Sequence, residues 1–549
     1  MNDDITVFIN EKEYKFAKDT SLLEMSRLFV ENFEHSIVLA SVDGVMKELF
    51  FIPENNAKIV FFDLTSTVAN RSYVAGLMYL MQYSIKELYG SSVDVIVHHS
   101  IDKGILIEPT IDLDEERIKV LEEKMNEVVK QDLPIKRLTV DRLEASNYFK
   151  KIGDMSKVGV LKYNTNSVVT LYRLGNLYNY FYTYMPVSTG VLNEFELTYV
   201  SKRRLVLRFP SIYTNGKIKE YVEHKNMLEA FNACNEFNVR THMQNASDIN
   251  NIVSQGKINE LIRLNEMVYN EMLLGIARKI TSKKEVELVL IAGPSSSGKT
   301  TVSKKLKLCI NGQARRVYAL AMDDFFKNRE ENPKVDGKYD FESLDSVDLD
   351  LFNTTIQKLL NKEETPIPKF NFISGKKEFE EKWQLVEGDI LIIEGIHALD
   401  NHILGNIERK KKYKIYISPI TEVNMDNQSR ISTTDNRLLR RIIRDNRTRG
   451  YNVEQSLAFW PDVRKGEEEY IFPYQDDADY TFNSGLIYEI GVLKTYVEPL
   501  LYNVDITSPY YEEAKRLINF LRIFLPIPSD AVPEDSVLRE FIGGSCYHD

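Results

Sequence analysis

Apolar residues are packed most densely at Val286–Ala292, where only Glu287 is polar. A continuous apolar run of that length predicts a strand buried on both faces. It leads into Gly293-Pro294-Ser295-Ser296-Ser297-Gly298-Lys299-Thr300, and a helix-compatible stretch, Thr301 to Leu308, follows. Val317–Met322 and Ile390–Ile393 predict two more buried strands, one ending in Asp323-Asp324 and the other in Glu394. Acids at the C-terminal ends of parallel strands sit on the working edge of an open α/β sheet. Nearer the N-terminus the period changes. Ile5–Ile9 alternates like a strand, Asn10-Glu11-Lys12 turns, and Tyr14-Lys15-Phe16 returns. Thr20 can cap a helix through Leu22, Leu23, Met25 and Leu28, and Ile37–Ala40 is a further strand before a turn at Asp43-Gly44. A helical stretch opens at Arg71 and ends near Tyr89, and the aromatics between Tyr178 and Tyr184 alternate like the packing face of a strand. Ser247-Asp248 signals a helix start; Ile249, Ile252, Val253, Ile258, Leu261 and Ile262 continue at helical spacing, which predicts two helices broken near Gly256. The resulting divisions are a small ββαβ module (1–64), an α+β domain (65–243), a helical connector (244–283), an α/β domain with a mostly parallel sheet (284–525) and a C-terminal tail (526–549).

The stretch from Gly293 to Thr300 fits G-x-x-x-x-G-K-[ST], the phosphate-binding P-loop, and it has the strand before and the helix after that the motif needs. Gly293 and Gly298 let the backbone turn tightly. The N–H groups of Ser295, Ser296, Ser297, Lys299, Thr300 and Thr301 can then face phosphate oxygens at a helix N-terminus. Lys299 is expected to reach the β- and γ-phosphates of ATP, and Thr300 to ligate Mg²⁺. Glu394 stands where a second metal-side acid belongs. Arg437, Arg440, Arg441 and Arg444 fall at i, i+3, i+4 and i+7, one face of a helix. Like charges on one face repel in water, so the array is expected to face phosphate, with Arg447 and Arg449 extending it over a lid.

Composition narrows the setting. The 549 residues suffice for two to four domains, and 43% of them are hydrophobic, enough for sizeable cores. Against 70 Lys and Arg stand 81 Asp and Glu, a net charge of −11, which excludes a global polyanion binder. Cys234, Cys309 and Cys546 lie too far apart for a metal motif, the N-terminus has no signal-peptide pattern, and no apolar run approaches a membrane span. A reduced, cytoplasmic setting without membrane association is the expectation.

Several motifs together resemble the uridine kinase and phosphoribulokinase branch of P-loop kinases. Met322-Asp323-Asp324-Phe325-Phe326-Lys327 is similar to the D-S-F-Y motif, Glu394-Gly395-Ile396-His397-Ala398-Leu399 to E-G-I-x-A-L, and Asp435 through Asp445 to D-x-R-L-x-R-R-x-x-R-D. The resemblance implies an ATP- and Mg²⁺-dependent kinase acting on a nucleoside 5′-hydroxyl. Asp323 would be the general base, and Arg437, Arg441 and Arg444 would act on the transferring charge, with Arg440 on the nucleotide. Glu342, in Asp340-Phe341-Glu342-Ser343, falls where the family holds ribose. Pro366 to Gly375 is similar to the pyrimidine-contacting P-x-Y-D-F-x-x-H. Phe370 replaces its Tyr as the stacking ring, and Gly375 replaces its His, a loss that would relax base selectivity. Uridine and cytidine are the expected substrates; a sugar phosphate or another small hydroxyl substrate is the enzymatic alternative. The first 64 residues resemble a β-grasp-like TGS domain, and residues 65–243 resemble the second domain of threonyl-tRNA synthetase. There Ser72, Gly76, Phe181 and Met185 fall on the four zinc-ligand positions, so the resemblance implies a lost editing site. These modules imply an RNA contact, and an RNA-binding nucleotide switch is the rival from another class. A homo-oligomer stays open as the assembly.

Overall fold

Five parallel strands form the sheet on which the C-terminal half is built. Their order is Val317–Ala321, Ile390–Glu394, Leu288–Ala292, Lys412–Ser418 and Tyr480–Asn483. The computed structural model describes residues 4–214, 216–335, 338–339, 343–371, 374–421 and 423–547. Leu288–Ala292 is central and every residue of it is buried. Leu288, Leu290 and Ala292 pack into one core, while Val289 and Ile291 pack into another on the opposite face. That two-sided burial is why its sequence does not alternate. The connector is two helices, Ala246–Ser254 and Ile258–Ser282, separated at Gly256, whose φ of +71° suits glycine. The second packs along the helix Lys299–Asn311 that follows the P-loop. The hairpin Thr365–Asn371/Lys376–Trp383 stands outside the parallel sheet.

Residues 4–63 make a five-stranded sheet, ordered Lys12–Ala17, Asp4–Ile9, Lys58–Asp63, Ile37–Val42 and Val45–Glu48. The expected helix is shorter than its apolar spacing predicts, Leu22–Ser26. Its cap is Ser21, which forms a capping box with Glu24, and not Thr20. After it come the long helix Thr67–Tyr89 and two small sheets. The expected aromatic strand is largely absent: only Leu177–Asn179 pairs, and Tyr180 to Tyr184 run as irregular chain between the two halves. An additional helix, Lys225–Thr241, precedes the connector.

The halves are locked together. The Lys157 ammonium pairs with Asp426 at 2.9 Å with both side chains fully buried, and Tyr182 Oη donates to the same carboxylate at 2.7 Å. Arg71–Glu513 and Lys103–Glu468 add ion pairs across the boundary. The segment after Pro526 folds back, burying Val532, Ser536, Val537, Leu538 and Phe541 in the C-terminal half. Among the described residues no helix is long and apolar enough to cross a membrane.

Candidate active site

The loop 293–298 leaves the central strand at the point where the sheet order reverses, the crevice in which open α/β sheets bind ligands. Gly293 is required by contact: a Cβ there would meet the Ile417 carbonyl oxygen at 2.2 Å. Gly298 has φ +83°, and Ser296 takes a left-handed φ of +60°. Lys299 Nζ donates to the carbonyls of Gly293 (3.0 Å) and Pro294 (3.3 Å), so it lies along the loop. Thr300 Oγ1 donates to Glu394 Oε1 at 2.9 Å. The strand Ile390–Glu394 therefore delivers its terminal acid to the first turn of the P-loop helix. The hydroxyls of Ser296 and Ser297 are buried without hydrogen-bond partners, an unmet polar lining of the kind a phosphate would satisfy.

Asp323 and Asp324 follow the strand Val317–Ala321 in a tight turn and point to different tasks. The side chain of Asp323 opens into the cleft. The walls around it strip away enough water to raise its carboxyl above the usual range, opposed by Lys299 and by Arg449 and Arg444. Glu394 is pushed up to about 7, first by burial, against the pull of Lys299 and with Asp323 and Glu540 adding negative charge. Asp324 is 8% exposed; it accepts from the Phe370 N–H at 3.3 Å and pairs with Lys369 at 3.5 Å. It pins the outer hairpin and does not face Lys299.

The arginine helix, Thr433–Arg444, is placed otherwise than its spacing predicts. Arg437 is 1% exposed and Arg440 is fully buried. Arg437 Nη2 donates to Glu467 Oε2 at 2.8 Å, and Nη1 donates both to the other Glu467 oxygen and to the Ser295 carbonyl at 3.3 Å. Arg440 pairs with Glu489 and donates to the Ser484 carbonyl at 3.0 Å and the Ser296 carbonyl at 3.5 Å. The two arginines hold the carbonyls of Ser295 and Ser296, and the Ser295 N–H, expected to face phosphate, turns to Glu467 on the same side. The expected phosphate-facing role is corrected for both to that of positioning residues. Glu467 also accepts from the Ser295 N–H at 3.1 Å and from Arg464 at 2.7 Å, and Arg437 and Arg464 keep its carboxyl low despite burial. Arg441 donates to Ser295 Oγ at 2.9 Å, while Arg441, Arg444 and Arg449 crowd around fully buried Asp445. Arg449 is lowered to about 10, chiefly by its neighbour Arg444.

On the acceptor side, two expectations change. Phe370 is 3% exposed, its ring set edge-on to Phe326 at 5.8 Å inside the core, and a ring so enclosed cannot stack on a ligand. Gly375 does not leave a gap where an imidazole would sit. Its φ is +69°, and a Cβ there would meet Arg329 Cβ at 2.8 Å, so Arg329 covers it. Glu342 lies outside the described residues. In the N-terminal half, Ser72 and Gly76 lie on the helix Thr67–Tyr89, and Gly76 packs against Pro186, beside buried Met185, while Phe181 stacks edge-on to Tyr79. Sequence reasoning missed Glu467, Glu489 and Asp445 as the partners of the arginines. Only Asp445 carried a signal, as the last acid of the arginine motif.

With that geometry in view, residues 288–490 match the model of the phosphoribulokinase / uridine kinase family. The C-terminal region is a P-loop kinase domain of this family. A uridine kinase of Staphylococcus aureus (strain JH9) is 26% identical over 211 residues, which cover 37% of this chain and 89% of that protein. Among solved structures, a possible uridine kinase from Bacillus stearothermophilus is 16% identical with a TM-score of 0.25, covering 36% of this chain and 89% of that one. A D-glycerate 3-kinase from Cryptococcus neoformans var. grubii is 12% identical with a TM-score of 0.21, covering 48% of this chain and 89% of that one. The family match runs from the P-loop strand into the helix that begins at Glu489. The N-terminal 287 residues and the C-terminal segment lie outside it.

Proposed function

We propose that the chain is an ATP- and Mg²⁺-dependent nucleoside kinase that phosphorylates the 5′-hydroxyl of a ribonucleoside, uridine or cytidine foremost. One observation carries the reading: a cleft-facing carboxylate, Asp323, stands within electrostatic reach of Lys299 and Glu394 at one rim of the sheet. The P-loop fits a nucleotide phosphate, since the Ser296 and Ser297 hydroxyls are buried without partners at the start of the helix Lys299–Asn311. Thr300 and Glu394 are the residues that would hold Mg²⁺. When bound, ATP supplies the phosphoryl group and Mg²⁺ neutralises charge on its phosphates. Lys299 swings from the Gly293 and Pro294 carbonyls to the phosphates. Asp323, once deprotonated, accepts the proton of the attacking hydroxyl. Arg444 and Arg449 lie within electrostatic reach of Asp323, and Arg437 and Arg440 hold the loop carbonyls.

A coupled assay of ATP consumption with uridine, cytidine, inosine, deoxyuridine and a panel of sugar phosphates tests this. Turnover on ribonucleosides is expected. Turnover on a sugar phosphate alone transfers the reading to the alternative hydroxyl substrate. The N-terminal modules are read here as a TGS-like and an editing-dead synthetase-like pair. A second reading, an RNA-binding regulator, has one observation in its favour. A cavity of about 1800 Å³ between the halves is lined by eleven Lys and Arg against five Asp and Glu, in a chain of net charge −11. Filter binding of a single-stranded RNA oligomer, with salt dependence, separates the readings.

A further inference from the structure

The C-terminal segment ends against the P-loop. Glu540 Oε2 accepts from the Thr301 N–H at 3.2 Å and from Thr301 Oγ1 at 2.6 Å. Thr301 follows the P-loop Lys299-Thr300, and its N–H is one of the free donors of the helix N-terminus that seat nucleotide phosphate. A carboxylate there is an anion on an anion's seat. The placement is built and not incidental. Val537 Cγ2 lies 2.4 Å from where a Gly298 Cβ would be, so the segment rests directly on the P-loop glycine. Arg447 donates to the carbonyls of Phe541 (3.0 Å) and Glu540 (2.7 Å), Lys305 donates to Asp535 at 2.9 Å, and the Arg440 guanidinium lies 5.0 Å from the Phe541 ring centre. Val537, Leu538 and Phe541 are fully buried. Glu540 thus brings a further carboxyl group within reach of Glu394, beside a loop that must accept a polyanion.

We propose that Glu540 is an internal anion that occupies the nucleotide phosphate seat on the P-loop helix, and that nucleotide must displace it, so the C-terminal segment sets nucleotide affinity. The proposal rests on the reading of the P-loop as a nucleotide site. Displacement exchanges one set of charge-assisted hydrogen bonds at Thr301 for another and removes a carboxylate that lies within electrostatic reach of Glu394. The anchors at Arg447 and Lys305 keep the segment near, so it returns when nucleotide leaves. The device differs from a metal-side acid: it opposes phosphate whether or not Mg²⁺ is present.

The test is calorimetric titration of ATP into the full-length protein and its E540Q and E540A variants, once with Mg²⁺ and once with EDTA. E540Q keeps an acceptor for Thr301 Oγ1 and loses only the charge. Both variants are expected to bind ATP about tenfold more tightly under both conditions, the scale of a hydrogen bond to a charged group. Binding by the variants alone supports the proposal equally. Unchanged affinity overturns it and leaves the nucleotide reading standing. Weaker binding confined to Mg²⁺ overturns it in favour of a metal-side role. No ATP binding by any of the three proteins overturns the nucleotide reading, and the proposal with it. Hydrogen exchange of the wild type is independent of variant folding: ATP should raise exchange at residues 535–543, and no change there overturns the proposal.

Discussion

In the proposed reaction Asp323 and Lys299 divide the work between two neighbouring charges. Lys299→Ala is expected to abolish phosphoryl transfer, because the developing charge on the phosphates loses its fixed partner. Its melting temperature should stay close to wild type, since the ammonium bonds only two loop carbonyls; retained turnover would remove Lys299 from the chemistry. Asp323→Asn is expected to lower kcat by about two to four orders of magnitude with little effect on ATP binding. Asp324→Asn should instead loosen the outer hairpin and spare most turnover, because Asp324 bonds the Phe370 backbone and Lys369. If Asp324→Asn is the crippling change, the roles of the two acids are reversed. The same residues predict a pH dependence. Asp323 is raised by burial and Glu394 lies at about 7, so kcat/KM should climb as pH rises through about 7. Stability should move the other way. The folded state holds a proton on Glu394 that the unfolded chain, at an ordinary value near 4.5, releases, so unliganded stability falls as pH rises from about 4.5 to about 7. Thermal melts across that range check the sign. The acids were legible in the sequence because each closes an apolar run; the loss of Phe370 to the core was not, because its burial depends on how the hairpin meets Phe326.

At the scale of elements, the carbonyl side of the P-loop is held by other elements. The arginine helix was legible from i, i+3, i+4 spacing, and its position beside the loop is as its chemistry suggests. Its orientation was not legible: Glu467 and Glu489 lie 30 and 49 residues downstream of Arg437 and Arg440 and carry no local pattern. The central strand was legible for the opposite reason, since burial on both faces writes itself into five consecutive apolar positions, Leu288–Ala292. The clamp makes a prediction of its own. Glu467→Ala leaves Arg437 buried without its carboxylate, leaves Arg464 paired with Glu468, and frees the Ser295 N–H. Breaking a buried pair from one side costs about 3–5 kcal/mol. Urea unfolding should show that loss, and ATP affinity should fall with it because the loop is no longer preorganised. The double variant Glu467→Gln with Arg437→Met should recover part of the stability without recovering affinity. Full recovery of affinity would show that the clamp serves the fold alone.

On the scale of the whole molecule, the two halves behave as one body to the extent that the buried Lys157–Asp426 pair holds. Neither residue carried a sign of it in the sequence, since they are 269 residues apart and each sits in an unremarkable polar stretch. In the fold, Lys157 Nζ meets Asp426 Oδ2 and the Tyr180 carbonyl, and Tyr182 Oη meets the same carboxylate, with the Lys157 and Asp426 side chains fully buried. Lys157→Met should therefore leave Asp426 buried with only hydroxyl and backbone donors, at a cost of about 3–5 kcal/mol. The cost should appear at the boundary and not inside either core. Scanning calorimetry is expected to turn one cooperative transition into two, with the P-loop kinase domain melting separately from the N-terminal half. Kinase turnover with saturating substrates should change little, because Asp323, Lys299 and Glu394 lie in the other half of the joint. Replacing both partners, Lys157→Met with Asp426→Leu, should restore much of the single transition, since an apolar pair of similar volume needs no compensation. A single unchanged transition in Lys157→Met would mean that Arg71–Glu513, Lys103–Glu468 and the apolar contacts hold the halves without the buried pair.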